Sequence, residues 1–498
     1  MASLASTFVA DVFLSTLLIL VAVSAIYLLG ILVYNIYFHP LSAYPGPLLA
    51  RCSRIWYINS LLRGRLPFDV HTLHLCYGET VRIAPDELSC INPGAWKDIY
   101  GHRVGKGEVP KDPMFYTSAG VDSVFYAPGE RHGRLRRLLS HGFSEKAMRE
   151  QEATIQQYIS IFIQRLRELC QQGDEPVDMV KWYNFFTFDV IGDLAFGDSF
   201  GCLATSTYHP WVSFIFNINK VSSFFRAAQY YKPLASLLSL LIPKRFSEIR
   251  KNHWQMTRQR ALRRWEMHTK RTDLVTRMTD PDSGITIHEF IANSSTLAIA
   301  GSDTTATVLS GTTYYLAKNP DKLQKLVREI RSAFSCDEEI NMGSVNQLPY
   351  LLACLDEGMR IYPPVAGNLP RRTKVPEELD CGFVPANTTI SVFNYAMCHS
   401  PQHFARPDDF IPERWLDDHD LEPNNKSVVQ PFSVGMRNCL GRNLAYFEMR
   451  LLLARLLFHF DLEWIPECED WEKQRAFNLW IRKALQVRLK LARPSDKV

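Results

Sequence analysis

Phe432-Ser433-Val434-Gly435-Met436-Arg437-Asn438-Cys439-Leu440-Gly441-Arg442 runs straight into residues 443–458, where apolar residues recur at helical spacing. The segment reads as a loop that delivers one cysteine to the N-terminus of a helix. A thiolate placed there accepts backbone N–H groups and feels the positive end of the helix dipole, which keeps it ionised and available to a metal. Gly435 and Gly441 carry no side chain, so a planar macrocycle can approach the chain at both positions. Arg437 is placed to meet a carboxylate on that macrocycle through a charge-assisted hydrogen bond.

The 11 cysteines of the chain are odd in number, scattered, and include no Cys-x-x-Cys pair, which argues against structural zinc and against a disulfide framework. A formal net charge of +4 over 498 residues, with no concentrated basic stripe, argues against a nucleic-acid partner. Residues 12–34 (VFLSTLLILVAVSAIYLLGILVY) carry no charge and are long enough for a bilayer core that takes about 20 helical residues, longer than a signal-peptide core of about 7–15. The first basic side chain is Arg51, followed by Arg54, Arg63 and Arg65, so the positive-inside rule puts the N-terminus in the lumen and the bulk of the chain in the cytosol. Tyr37-Phe38-His39-Pro40 and Pro45-Gly46-Pro47 cannot continue a helix and read as a stiff hinge. The expected division is a lumenal tip and anchor at 1–36, a hinge at 37–50 and a cytosolic unit at 51–498. In that unit helical spacing dominates (126–169, 178–196, 246–279, 286–317, 320–334, 345–361), and strand signals are confined to 79–83, 388–393 and 485–489. The expected fold class is mainly α with a small β-sheet, in a single domain behind an N-terminal transmembrane helix.

Further polar groups stand out against this background. Glu357 and Arg360 lie i, i+3 on one helix face, a pairing that is usually a solvated ion pair of little weight, and Pro412-Glu413-Arg414-Trp415 follows downstream. Ala300-Gly301-Ser302-Asp303-Thr304-Thr305 puts a glycine, an acid and hydroxyls in the middle of a long apolar helix. A kinked core helix with satisfied polar groups would explain it. Equally, Gly301 would leave room beside the helix, a threonine hydroxyl would open the ladder, and Asp303 would pass protons through water. His132 and Arg136 lie four apart on a basic helix and Arg371 follows Leu369-Pro370, each a donor suited to a carboxylate.

Phe432, Gly435, Arg437, Cys439 and Gly441 match every fixed position of F-x-x-G-x-R-x-C-x-G, and through them the chain resembles the cytochrome P-450 family. The Pro-Gly-Pro hinge, the His132 helix, the Ala300–Thr305 stretch, the Glu357/Arg360 pair and Pro-Glu-Arg-Trp occur in the family's order. His132 departs from the tryptophan many members carry there. The resemblance implies haem b with Cys439 as the axial ligand of its iron, and Arg437, His132, Arg136 and Arg371 around its propionates. It further implies Thr304 as stabiliser of dioxygen, Asp303 as proton relay, and Glu357, Arg360 and Arg414 as a buried structural network. The implied activity is a monooxygenase of the endoplasmic reticulum membrane. It would be fed from NADPH through NADPH-cytochrome P-450 reductase, with cytochrome b5 a further partner, and would act on a hydrophobic small molecule. YFHPLS at 37–42, RLRRLLSHGFS at 134–144 and IANSSTLAIAGSDTT at 291–305 resemble filamentous-fungal enzymes of polyketide and terpenoid secondary metabolism, trichothecene oxygenases among them. By the same resemblance, substrate contacts are expected from 111–126, 207–240, Asn293, Leu297, Ala300, 365–369 and 477–480. Arg134, Arg137 and Arg442 would form a basic patch for an electron donor. A reductase-independent haem-thiolate isomerase or dehydratase and a non-enzymatic haem sensor are the alternatives; Asp303 and Thr304 speak against both.

Overall fold

The structure, a computed structural model, describes residues 2–103, 105–116, 123–231, 244–267, 271–416 and 420–492. The uncharged N-terminal stretch lies within a helix, Ala2–Val33, whose apolar run continues into a single wider turn, Tyr34–Phe38. Across Asp11–Phe38 the mean hydropathy is 2.7 and none of the run is buried, which suits a membrane-crossing helix. Immediately after it the chain is bound to the globular part rather than swinging free. Asn35 donates to the Cys52 carbonyl (2.9 Å), Arg82 donates to the Asn35 carbonyl (2.8 Å), and Arg51 donates to the carbonyls of Ile36 and Ser42 (3.2 and 3.0 Å).

Beyond this the chain is mostly helical around two packed cores. Ile287–Lys318 crosses the larger one, started by a capping box in which Thr286 and Glu289 satisfy each other's backbone N–H groups. Met179–Phe196 packs along it and is buried nearly all round, as its Phe- and Trp-rich sequence requires, and Gly197 ends it in a left-handed turn (φ 72°). Pro349–Ile361 and Arg442–His459 close the other sides. The smaller core lies under a four-stranded sheet of Thr80–Ala84, Glu87–Cys90, Thr389–Ser391 and Arg371–Arg372. Its middle pair, Glu87–Cys90 with Thr389–Ser391, is parallel; the flanking pairs are antiparallel.

Several expectations change here. The helical run at 126–169 is two helices, Gly129–Ser140 and Glu145–Gln172, separated by one tight turn; Ser144 caps the second by accepting from the Ala147 N–H (3.2 Å). The 246–279 run ends at Glu266, because buried Asp273 takes Arg264 and the Val275 N–H and turns the chain. The 388–393 signal yields only Thr389–Ser391 before a helical turn, Asn394–Cys398. The C-terminal strand, Gln486–Leu491, forms and pairs with Val177–Asp178 and Phe460–Glu463. The helix Ile287–Lys318 is unbroken at its polar stretch: Ser302, Thr304, Thr307 and Ser310 each donate to the carbonyl four residues back, at 2.6–2.7 Å. Nor does Gly301 leave a gap, since a Cβ there would lie 2.9 Å from Ile191, and this is where Met179–Phe196 closes against the central helix.

Candidate active site

The cysteine loop is held from three sides. Gly435 stands at φ +76° and a Cβ on it would lie 2.1 Å from the Tyr100 carbonyl oxygen, so loop docking alone demands this glycine. Cys439 donates its N–H to the Phe432 carbonyl (2.8 Å), while the Phe432 ring packs against Tyr446. Arg136 donates to the Asn438 carbonyl (2.7 Å) and to its side-chain oxygen. The arginine expected near a propionate therefore braces the residue before the cysteine. Gly441 is different: a Cβ there would meet nothing closer than Phe143 at 3.7 Å, yet would stand 3.9 Å from the Cys439 sulfur. The polypeptide does not require this glycine, whereas a ligand seated on the sulfur does. Cys439 is exposed. Burial pushes its thiol up, and the Gly441 N–H and the Arg136 guanidinium act in the opposite direction, favouring the thiolate.

Above the loop lies a cluster with more cation than anion. Arg437 grips Glu108 with two parallel bonds (2.7 and 2.7 Å) and donates to the Ala127 carbonyl (2.9 Å). Arg371, 4% exposed, donates to the Val109 carbonyl (2.9 Å), reaches the same Glu108 at 3.6 Å, and keeps its buried Nε without an acceptor. Burial and the charges of Arg437 and Arg371 bring the Lys111 amine down to about 6. Burial, Arg437, Lys111 and Arg136 bring His132 down to about 4, so its imidazole is neutral. One carboxylate thus faces two fixed guanidiniums and a lysine, with an orphaned buried donor. A thiol, a bare Gly441 and a cationic surplus aimed at carboxylates fit a haem and its propionates.

On the central helix, Ala300 is exposed and Thr304 half-exposed, one turn apart, while Ser302, Asp303 and Thr305 between and beside them are buried. Asp303 is buried and points sideways into an ion pair with Arg482, which also donates to Asn184 (2.9 Å). Behind the site Glu357 accepts from Arg360 twice (2.8 and 2.8 Å), from Arg414 (3.1 Å), from the Ile411 N–H (2.9 Å) and from Trp415 (3.0 Å), with all three charged side chains 0% exposed.

The family model for cytochrome P-450 matches residues 47–490. The chain belongs to the cytochrome P-450 family. It is 44% identical over 481 residues to the cytochrome P-450 monooxygenase astA of Talaromyces wortmannii, covering 95% of this chain and 97% of that one. It is 41% identical over 479 residues to the monooxygenase cpaH of Aspergillus oryzae (95% and 93%) and 42% identical over 467 residues to averantin hydroxylase of Dothistroma septosporum (92% and 88%). Its enzyme class is accordingly that of a haem-thiolate monooxygenase.

Within this cytochrome P-450 the expected substrate segments fare unevenly. Asn293 is spent on structure, donating to the Glu289 carbonyl (2.7 Å) and accepting from the Val124 N–H (2.8 Å). Trp480 is core, stacked on Tyr362 at 4.1 Å and bonded to the Pro363 carbonyl; Phe477 and Leu297 are buried as well. Val365, Leu369 and Leu479 remain half-exposed, and residues 117–122 and 232–240 lie outside the described residues. Arg134 is drawn out of the anticipated basic patch by Glu289 (2.6 Å) and the Gly284 carbonyl (3.0 Å), leaving Arg137 and Arg442 exposed. Sequence reading missed Glu108, Asn438 and Arg482. Nothing local marks them, because their partners are 329, 302 and 179 residues away.

Proposed function

We propose that this cytochrome P-450 is held in the endoplasmic reticulum membrane by residues 1–36, hinged at 37–50, with residues 51–498 cytosolic. It uses O2 and electrons passed from NADPH by NADPH-cytochrome P-450 reductase, with cytochrome b5 as a further donor. It hydroxylates or otherwise oxidises a hydrophobic small molecule, a fungal secondary metabolite of polyketide, terpenoid or related origin. The carrying observation is the conjunction at the cysteine loop: an exposed Cys439 beside a glycine the polypeptide does not need, beneath a carboxylate-poor cluster of Arg437, Arg371 and Lys111.

When bound, haem b supplies oxygen activation, and a thiolate ligand pushes electron density that favours O–O cleavage. The chain's own groups do the rest. Cys439 offers sulfur to the iron while Phe432 and Arg136, through Asn438, keep the loop rigid. Arg437, Arg371 and neutral His132 would hold the propionates, the two arginines exchanging contacts they now make with Glu108 and backbone carbonyls. Thr304, whose hydroxyl rests on the Ala300 carbonyl at 2.7 Å, frees that hydroxyl when the bond is released, and Asp303 moves protons inward while Arg482, itself held by the Asn184 side-chain oxygen, pairs with its carboxylate. Glu357, Arg360 and Arg414 keep the fold beneath the loop. Half-exposed Val365, Leu369 and Leu479 present an apolar wall to the substrate.

The test is electron entry. Purified full-length protein is mixed with NADPH and the reductase under carbon monoxide, and the haem-thiolate carbonyl band should grow in. If dithionite produces that band and NADPH with reductase does not, the reductase-independent isomerase or dehydratase reading replaces this one.

A further inference from the structure

Phe115, Tyr116, Phe125 and Tyr126 form a continuous run of aromatic rings, with successive centroids 4.8, 5.3 and 5.0 Å apart. Phe125 and Tyr126 are exposed, Phe115 and Tyr116 half-buried, so the run presents a surface rather than a filled core. Two basic side chains lie on it. Lys111 Nζ sits 4.4 Å from the centroids of both Tyr116 and Phe125 and donates to the Phe125 carbonyl. Arg226, near the end of helix Pro210–Gln229, stands 3.9 Å over the Phe115 ring.

The two differ in what remains unspent. Lys111 has its carbonyl. Among the described residues half-buried Arg226 has no ion-pair partner, and none of its five N–H donors finds an acceptor. The carboxylates of this quarter are engaged elsewhere: Asp112 accepts from the Met114 N–H (2.7 Å) and from Thr389 (2.6 Å), and Glu87 is paired with Arg54. Stacking on Phe115 uses the flat face of the guanidinium, fixes its plane, and leaves the donor edges open. A fork immobilised at the end of an aromatic surface, without a carboxylate of its own among the described residues, is preorganised for a planar acid.

We infer that Arg226 is a specificity-determining residue that binds the carboxylate of an aromatic acid whose rings lie along Phe115, Tyr116, Phe125 and Tyr126. The inference rests on the monooxygenase reading and narrows its substrate class. The rings alone favour the methyl ester over the acid, because the ester adds a methyl group and carries no charge to desolvate. A preference for the acid therefore has to come from the fork, and at a half-buried site that amounts to about tenfold.

The experiment is equilibrium dialysis of the full-length, haem-loaded protein against 2-naphthoate and anthraquinone-2-carboxylate, each compared with its methyl ester. The wild type should bind the acids more tightly than the esters. Arg226→Gln should weaken the acids about tenfold while leaving the esters within about twofold, and Arg226→Lys should keep part of the preference. The thiolate carbonyl spectrum of each variant, which Arg226 does not touch, reports that the protein is intact. Equal weakening of acids and esters, or no preference in the wild type, overturns the inference. A wild type that lacks the thiolate band rejects the haem-thiolate reading instead, which separates the two failures.

Discussion

Two groups of buried charge flank the cysteine loop, and they are built on opposite plans. Behind it, Glu357 meets Arg360 and Arg414 at 0% exposure, with carbonyls of Cys398, Pro407, Asp409 and Arg406 taking up other guanidinium donors. Burial pushes the Glu357 carboxyl up, but Arg360 and Arg414 pull harder and hold it below the usual carboxylate range. Above the loop, Arg437, Arg371 and Lys111 share Glu108, and Arg371 Nε is left over. Each leaves one buried guanidinium nitrogen over, Arg414 Nη1 behind the loop and Arg371 Nε above it. The lower network, however, is fully buried and spends its other donors on Glu357 and backbone carbonyls, whereas the upper one sets two guanidiniums on the single, partly exposed carboxylate of Glu108.

The largest break in that contrast should come from Glu357→Gln, which strands two buried guanidiniums. It should cost about 3–5 kcal/mol in denaturant unfolding, and a loss under about 1 kcal/mol would mean that these buried pairs do not hold the fold. Next comes an ion pair at the rim of the fold. Burial raises the Asp337 carboxyl, but bonds from His459 and Arg455 bring it down to about 2. A depressed carboxylate stabilises the folded state above its unfolded value and loses that contribution as pH falls through the folded one. The protein should therefore lose roughly 2 kcal/mol between about pH 4 and pH 2 that Asp337→Asn does not lose, which acid titrations of stability would show.

On the other side of the contrast, Arg371→Gln should speed haem transfer to apomyoglobin by about tenfold and leave the unfolding of haem-free protein almost unchanged. If stability falls as far as in Glu357→Gln, the upper cluster is structural too. The smallest effect is expected of Glu108→Gln, which removes the internal rival for Arg437 and Arg371; haem retention should stay level or rise by roughly twofold, and a marked fall would make Glu108 a support rather than a competitor.

What could be read from the chain beforehand follows the range of the interactions. The cysteine loop, the i, i+3 Glu357/Arg360 pair and the anchor are written in contiguous residues, and the structure shows them as expected in kind. The helix break at His141–Phe143 left no trace in apolar periodicity, which continues across it, although Ser144 as an N-cap was a local signal. The polar stretch of the central helix left two readings open, a kinked helix with satisfied polar groups and a ladder opened by a threonine; the hydroxyls do take carbonyls one turn back, and the helix stays unbroken. Which arginine meets which acid was beyond reach, since Arg437 and Glu108, or Arg482 and Asp303, are brought together only by tertiary packing. Arg136 shows the cost: its spacing from His132 was right for a propionate, and the fold gave it Asn438.

The central claim is that Cys439 is the iron ligand. Reducing the purified protein under carbon monoxide and comparing it with Cys439→Ser tests this directly. A strongly red-shifted Soret band that disappears in the variant is the predicted result, and the same band persisting in folded, haem-loaded Cys439→Ser would contradict it.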